Sequence, residues 1–287
     1  MTFPRMVGAE WRKAKGRGLA WAVLLYGAVQ GVFAALALWG TGRAADAMQE
    51  GASEGFDWLL AADAAAQFAS LPIHGLGLLV FFAIVWAEDL SQGTAAMILV
   101  RPVRRVELFA AKLVLCFLVA LAGVVLATGF GAVLGLALFG TEGDPSMYPL
   151  PSSQWIADVE GLGGRLLRIA YGALLAAVVM LPALAVAALT AVVTRSPLLT
   201  LAGSIVLLCA DAGAWAILWA WSQTEIAGAE QMGELREWTL WASRDLLEHH
   251  GTLTTLSDGL PDLGRTIGYS LAMLACAAAV LQYRDIR

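Results

Sequence analysis

Polar side chains are scarce in this chain, and those in a chemically suggestive order gather in one stretch, Trp86 to Lys112. Glu88-Asp89 comes first, then Gly93-Thr94, then the apolar piece Ala95-Ala-Met97-Ile-Leu-Val100, then Arg101-Pro102-Val-Arg104-Arg105. The chemistry these residues suit is recognition rather than bond making. Glu88 and Asp89 close an apolar run, where acids oppose the helix macrodipole. They therefore cap the next short helix, pair with Arg101, Arg104 or Arg105, or accept from another protein. Gly93 permits a sharp turn, and Thr94 is a good N-cap for residues 95–100. Pro102 pushes Arg101 out of helical geometry and then opens a new helix. The pattern predicts a short helix held between two breaks. The second notable group is Asp211, the one acid well inside an apolar run. A carboxylate at such a depth costs at least ~2.5 kcal/mol. It either lines a pathway or subunit interface, or sits toward the outer leaflet, protonated or bonded to Ser or Thr.

Enzymatic constellations are not evident. No Gly-x-x-x-x-Gly-Lys-Ser/Thr loop is present to cradle nucleotide phosphates, and no His-Glu-x-x-His. His249 and His250 are adjacent rather than spaced along one helix face. Cys116, Cys209 and Cys276 each fall in an apolar run and read as buried hydrophobes rather than a disulfide or metal set. No catalytic residue, metal ligand or cofactor of its own is expected of this chain. A net charge of -5 gives no indication of nucleic-acid binding.

The elements that must position the stretch follow from composition. At 59% hydrophobic and 14% charged, the chain lies outside the roughly 45–50% apolar share of soluble domains. Six runs approach or exceed the roughly 20 apolar residues that a membrane-spanning helix needs: about 19–39, 66–87, 108–139, 165–193, 198–221 and 263–282. Pro182 is expected to kink the fourth, and Thr194-Arg195-Ser196-Pro197 to turn tightly into the fifth. Before the first, Phe3, Met6, Val7, Trp11 and Ala14 recur at helical spacing against Arg5, Arg12, Lys13 and Lys15. That is the pattern of an amphipathic helix over 1–18 resting on an anionic lipid surface. The first run is longer than a signal h-region and reads as a retained span.

Basic residues set the orientation. Of 18 Lys and Arg, twelve fall on the side that holds both termini and the 88–107 loop, which makes that side cytoplasmic. The outward segments hold most of the acids. The largest, 222–262, carries Ile226, Ala229, Leu235, Trp238, Trp241 and Leu246 at helical intervals, which suggests one or two helices along the outer leaflet. Trp215, Trp219, Trp221, Trp238 and Trp241 would then form an interfacial belt. The fold class is all-α and polytopic, a single transmembrane domain over 1–287.

The run from Trp86 to Arg105, followed by Ala111-Lys112-Leu113, resembles the permease subunits of ABC transporters of the ABC-2 type. Those subunits show an acidic residue, a Gly-Thr, a hydrophobic piece, an Arg-Pro-like break and Ala-Lys-Leu opening the third span. The amphipathic start, six spans, Arg195-Ser196 turn, outer segment and Tyr283-Arg284-Asp285 tail are similar too. The resemblance implies a prokaryotic inner-membrane exporter subunit that pairs with a second permease copy or paralogue and with two cytosolic ATPases. ATP and Mg would belong to those partners. Helix 94–100 would be the coupling helix, with Glu88, Asp89, Gly93, Thr94, Ala95, Met97, Arg101, Pro102 and Arg104 at the ATPase contact, and 1–18 the elbow. The substrate stays open, as does an extracytoplasmic protein partner on 222–262. The alternative is an ion- or proton-coupled carrier built on Asp211.

Overall fold

A computed structural model describes residues 3–48, 58–70, 76–91, 105–141, 162–223, 229–237, 239 and 260–283. Among these, every regular element is a helix. They are α1 Phe3–Gly16, α2 Leu19–Met48, α3 Trp58–Ser70, α4 Leu76–Ser91, α5 Arg105–Phe139, α6 Leu162–Val179, α7 Leu181–Thr194, α8 Pro197–Ser222, α9 Ala229–Arg236 and α10 Leu260–Tyr283.

The bundle is organised around α5, whose 35 residues reach about 52 Å at 1.5 Å per residue. Its buried stripe steps through Lys112, Cys116, Val119, Gly123, Ala127, Gly131 and Gly135. That spacing of three and four turns one face to the interior along its whole length. α2 and α3 pack along this stripe, and α1 lies against its start. The small residues permit close approach, as membrane helix packing requires. Gly27 and Gly31 of α2 sit directly on the backbone at Gly123 and Ala127. On the other side α7 is enclosed by α4, α8 and α10, and ten of its fourteen residues are buried.

Local chemistry explains the breaks. Gly18, at φ +72°, takes the left-handed conformation open to glycine and turns α1 into α2. α6 and α7 divide at Met180, since Pro182 lacks the N–H that would continue the ladder; Leu184 N–H still donates to Met180 O at 3.0 Å. After Thr194, Arg195 is left-handed at φ 55°, and Ser196 caps α8 by accepting from Leu199 N–H. Hydroxyls then stitch α7 to α8: Thr190 to Ser204 at 2.8 Å and Thr194 to Thr200 at 2.9 Å.

Among the described residues, five helical stretches are long and apolar enough to cross a membrane: Leu19–Ala44, Arg105–Phe139, Ile169–Thr194, Pro197–Ser222 and Pro261–Tyr283. The expected second span, 66–87, instead overlaps two shorter helices, α3 of 13 residues and α4 of 16. Neither alone reaches the roughly 20 residues of a full crossing. Trp58 to Asp63, assigned from their acidity to an outward segment, begin a helix whose Leu59, Leu60, Ala61 and Asp63 are buried. Cys116 is buried as expected, but Cys209 and Cys276 are exposed. They lie on faces of α8 and α10 that no other described helix covers. In segment 222–262, expected to lie outward, α9 is the described helix; Trp238, Trp241 and Leu246 lie outside the described residues. Trp215 and Trp219 stack at 6.3 Å on the last turns of α8.

Candidate functional site

The strongest concentration of buried charge lies where α1, the end of α4 and the start of α5 meet. Glu10 falls on the buried stripe of α1 between Met6 and Ala14, and Lys112 lies two turns into α5, facing inward. Glu88 and Asp89 sit in the last turn of α4. The side chains of Glu10, Asp89 and Lys112 are only 6%, 6% and 7% exposed.

Their contacts close on one another. The Lys112 ammonium donates to Glu10 Oε2 at 2.9 Å, to Asp89 Oδ2 at 2.7 Å and to the Val85 carbonyl at 2.9 Å. An ammonium has three donors, so all three are used. The Lys13 ammonium donates to Glu10 Oε1 at 2.7 Å and to Asp89 Oδ2 at 3.1 Å. Two carboxylates and two ammonium groups thus balance in charge. At the edge, Arg17 Nη1 donates to Glu88 Oε2 at 2.5 Å. Beneath the cluster, the Trp86 and Phe109 rings pack 4.5 Å apart.

The electrostatics run away from catalysis. Burial works against the Asp89 charge, but the ammonium groups of Lys112 and then Lys13 outweigh it and hold the carboxyl below its ordinary 3.8. Burial likewise opposes the Lys13 charge, yet bonds to Glu10 and Asp89 hold the ammonium above its ordinary 10.5. A general acid or base works best with a pKa near the operating pH, and both shifts go the other way. The arrangement is an electrostatic joint.

Its pH dependence follows from those signs. Asp89, lowered, contributes stability above 3.8 that is lost as pH falls through its folded value. Lys13, raised, contributes below 10.5 and loses that contribution as pH rises through its folded value. Apparent melting temperature should therefore be flat over about pH 5–9 as far as this joint is concerned. Asp89→Asn should remove part of the decline on the acid side, which a pH series of thermal melts would check.

The far end of the same stretch is anchored as well. Arg105 donates from Nη1 to the carbonyls of Leu281 and Gln282 at 3.3 and 3.2 Å. These belong to the last turn of α10, whose carbonyls lack intrahelical partners, and a cation there suits the helix dipole. Helices α4 and α5, which flank residues 92–104, are thus tied at those ends to α1 and α10.

Of the residues singled out from sequence, Glu88 and Asp89 are in this cluster. Gly93, Thr94, Ala95, Met97, Arg101, Pro102 and Arg104 lie outside the described residues. Asp211 is elsewhere, half-buried on α8 and within electrostatic reach of Tyr269 on α10. It is about 21 Å along the helix from Pro197. Near it, Arg236 lies over the Trp215 ring at 5.8 Å, and Arg265 bonds to Glu237 and Asp262. Glu10 was missed in the sequence reading, although it is the one acid among the first 45 residues and occupies the apolar stripe. Contrary to the expectation that the chain holds no enzymatic constellation, Gly51-Ala-Ser53-Glu-Gly55 has the Gly-x-Ser-x-Gly spacing of a serine-nucleophile turn. That turn joins a strand to a helix, whereas α2 precedes these residues, which themselves lie outside the described set. Among the described residues, no three His, Cys, Asp or Glu side chains gather to hold a metal ion.

Residues 48–217 match the model of a family described as a protein of unknown function, DUF2705. No curated protein and no solved structure matches the chain.

Proposed function

Since the chain belongs to the DUF2705 family, whose description assigns no activity, we propose a function from its residues: the membrane permease subunit of an ATP-driven ABC exporter. The observation that carries this reading is the anchoring around residues 92–104. The helix entering that segment is tied to α1 through Glu88 and Asp89, and the helix leaving it to α10 through Arg105. A segment that receives force from a partner needs such ties, because a push on a freely hinged loop would be lost in the loop. Helix 94–100 would dock into a cytosolic ATPase, which supplies ATP and Mg chemistry. Closure of two ATPases would then move the ends of α1, α4, α5 and α10 together.

Under this reading the chain crosses the inner membrane six times, with α3 and α4 sharing the second crossing and both termini cytoplasmic. The uncovered apolar faces of α2 and α8, where Leu25 and Ile217 are 67% and 66% exposed, would receive the second permease subunit. Substrate would pass along that interface. An ion- or proton-coupled carrier is the second reading, favoured by Asp211 in the middle of a span with its charge reaching Tyr269.

Tagged protein drawn from native membranes should bring down a P-loop ATPase and show nucleotide-dependent protease protection. Glu88→Ala should leave the protein in the membrane and the ATPase active. Loss of a coupling contact worth 1–3 kcal/mol would reduce the nucleotide-driven response about 5- to 150-fold. Absence of any copurifying ATPase, together with loss of proton-dependent uptake in Asp211→Asn, would decide for the carrier.

A further inference from the structure

Three of the fourteen residues of α1 are buried, Met6, Glu10 and Ala14, whereas ten of the fourteen in α7 are. Trp11 packs a partly buried ring against the core that Ala14 joins, and Phe3, Arg5, Arg12 and Lys15 are exposed. The apolar hold on α1 is therefore small. Much of its attachment to α4 and α5 rests on charge, and the way those charges are shared decides what the attachment can do.

The ion quartet divides at the boundary between α1 and the rest of the bundle. Within α1, Lys13 pairs with Glu10 at 2.7 Å, three residues away. Between α4 and α5, Lys112 pairs with Asp89 at 2.7 Å. The bonds that cross the boundary are Lys112 to Glu10 at 2.9 Å and Lys13 to Asp89 at 3.1 Å, with Arg17 to Glu88 at the edge. Lifting α1 away breaks the crossing bonds, yet each half of the quartet keeps one acid paired with one cation. The Arg17 and Glu88 side chains are 38% and 21% exposed, so water already reaches that pair, and such pairs hold weakly. What normally keeps a buried ion cluster shut is the uncompensated charge that opening would leave. Here opening leaves none in the quartet. The connection to α2 supplies a pivot, since hinges are a few element-terminal residues that absorb a backbone change. Gly18 is left-handed at φ +72°, and nothing lies within 4 Å of the point where a Cβ would stand at Gly16 or Gly18.

We propose that α1 is a reversible strap, which docks on α4 and α5 through the crossing bonds and swings away about residues 16–18 with both halves of the quartet still paired. Docked, the last turn of α4 is held by Lys13 and Arg17 of α1 as well as by Lys112 of α5. Released, that turn keeps Lys112. The strap thus sets how firmly the end of α4 is fixed, with the released arrangement as the minor population. It is independent of the exporter reading, since it needs only that α1 leaves as a unit.

The test uses the full chain in nanodiscs, with nitroxide labels on Phe3→Cys and Val106→Cys, both exposed positions. Cys209→Ser and Cys276→Ser remove the exposed thiols, and the buried Cys116 stays in place. The distance between the labels, read by double electron–electron resonance, should show one main docked value and a longer minor one. Glu10→Lys combined with Lys13→Glu keeps a pair inside α1 but turns both crossing bonds into like-charge contacts. It should lower the docked-to-released ratio at least tenfold. Gly18→Ala touches none of the charges; it strains the left-handed turn and should lower the same ratio about five- to thirtyfold. In both variants hydrogen exchange should find α5 and α7 as protected as in the parent. Distances unchanged from the parent in both variants would overturn the proposal. So would loss of α5 and α7 protection in the charge-reversed variant, which would make α1 a fixed wall of the fold.

Discussion

Lys112→Met should be the most damaging single change at the junction of α1, α4 and α5, destabilising the protein by about 3–5 kcal/mol, the cost of leaving a buried charge uncompensated. The expectation rests on asymmetry. A buried ion pair is not strong evidence of net stabilisation, because desolvating two ions offsets most of their attraction. Removing one partner is different: Glu10 and Asp89 would remain, each about 6% exposed, with Lys13 alone between them. That lysine is a third exposed and placed at the edge, so it cannot replace three internal donors. Thermal melts in nanodiscs would measure the loss. Adding Glu10→Gln and Asp89→Asn to Lys112→Met should recover part of it, since neutral amides no longer need the ammonium. A loss under about 1 kcal/mol, in the range of exposed pairs, would mean that water reaches the cluster and that the joint is not buried.

That cluster also marks the limit of what was legible from sequence. Glu88 and Asp89 stood out because acids at a helix C-terminus are electrostatically misplaced. Their described partners, Lys13, Arg17 and Lys112, did not stand out. Lys13 reads as part of the basic face of the first helix, Arg17 as one of the cytoplasmic-side cations, and Lys112 as the middle of Ala111-Lys112-Leu113, with no acid assigned to any of them. Pairing across 23 to 76 positions leaves no trace in local periodicity. Glu10 was the available signal, since an acid on the apolar stripe of a basic helix must find cations on whatever covers that stripe.

The elements were legible to the extent that composition decides them. Long apolar runs became α2, α5 and α8, and the Arg195-Ser196-Pro197 turn has the left-handed residue and serine cap that the sequence suggests. The α3–α4 region was less legible, since Asp63 reads from sequence as one of the outward acids. It is 2% exposed, and the alanines around it, small enough for α5 to approach, were the better guide. Groups of small residues look alike in sequence whether they meet a neighbouring backbone or open space, and only coordinates separate the two.

That separation gives the last prediction, in which one substitution should have opposite signs at two glycines of adjacent helices. At Gly31 an added Cβ would stand 2.1 Å from the Ala127 carbonyl oxygen and 3.0 Å from its Cα. Both are backbone atoms, so no side-chain rotation relieves the clash, and α2 must move away from α5. Gly27 one turn earlier, 2.5 Å from the Gly123 oxygen by the same measure, would lose its contact with it. Helix packing in a membrane depends on such close van der Waals contact rather than on a hydrophobic drive between helices. Gly31→Ala should therefore cost about 1–3 kcal/mol from overpacking, exceeding the roughly 1 kcal/mol that alanine adds to helix propensity. At Gly129 of α5 nothing lies within 4 Å of the corresponding point, so there is no clash to offset that gain, and Gly129→Ala should stabilise by about 1 kcal/mol or slightly less. Parallel thermal melts of the two variants would check the pair. Two changes of the same sign would show that propensity alone governs these helices, and that α2 is not held against α5 by its glycines.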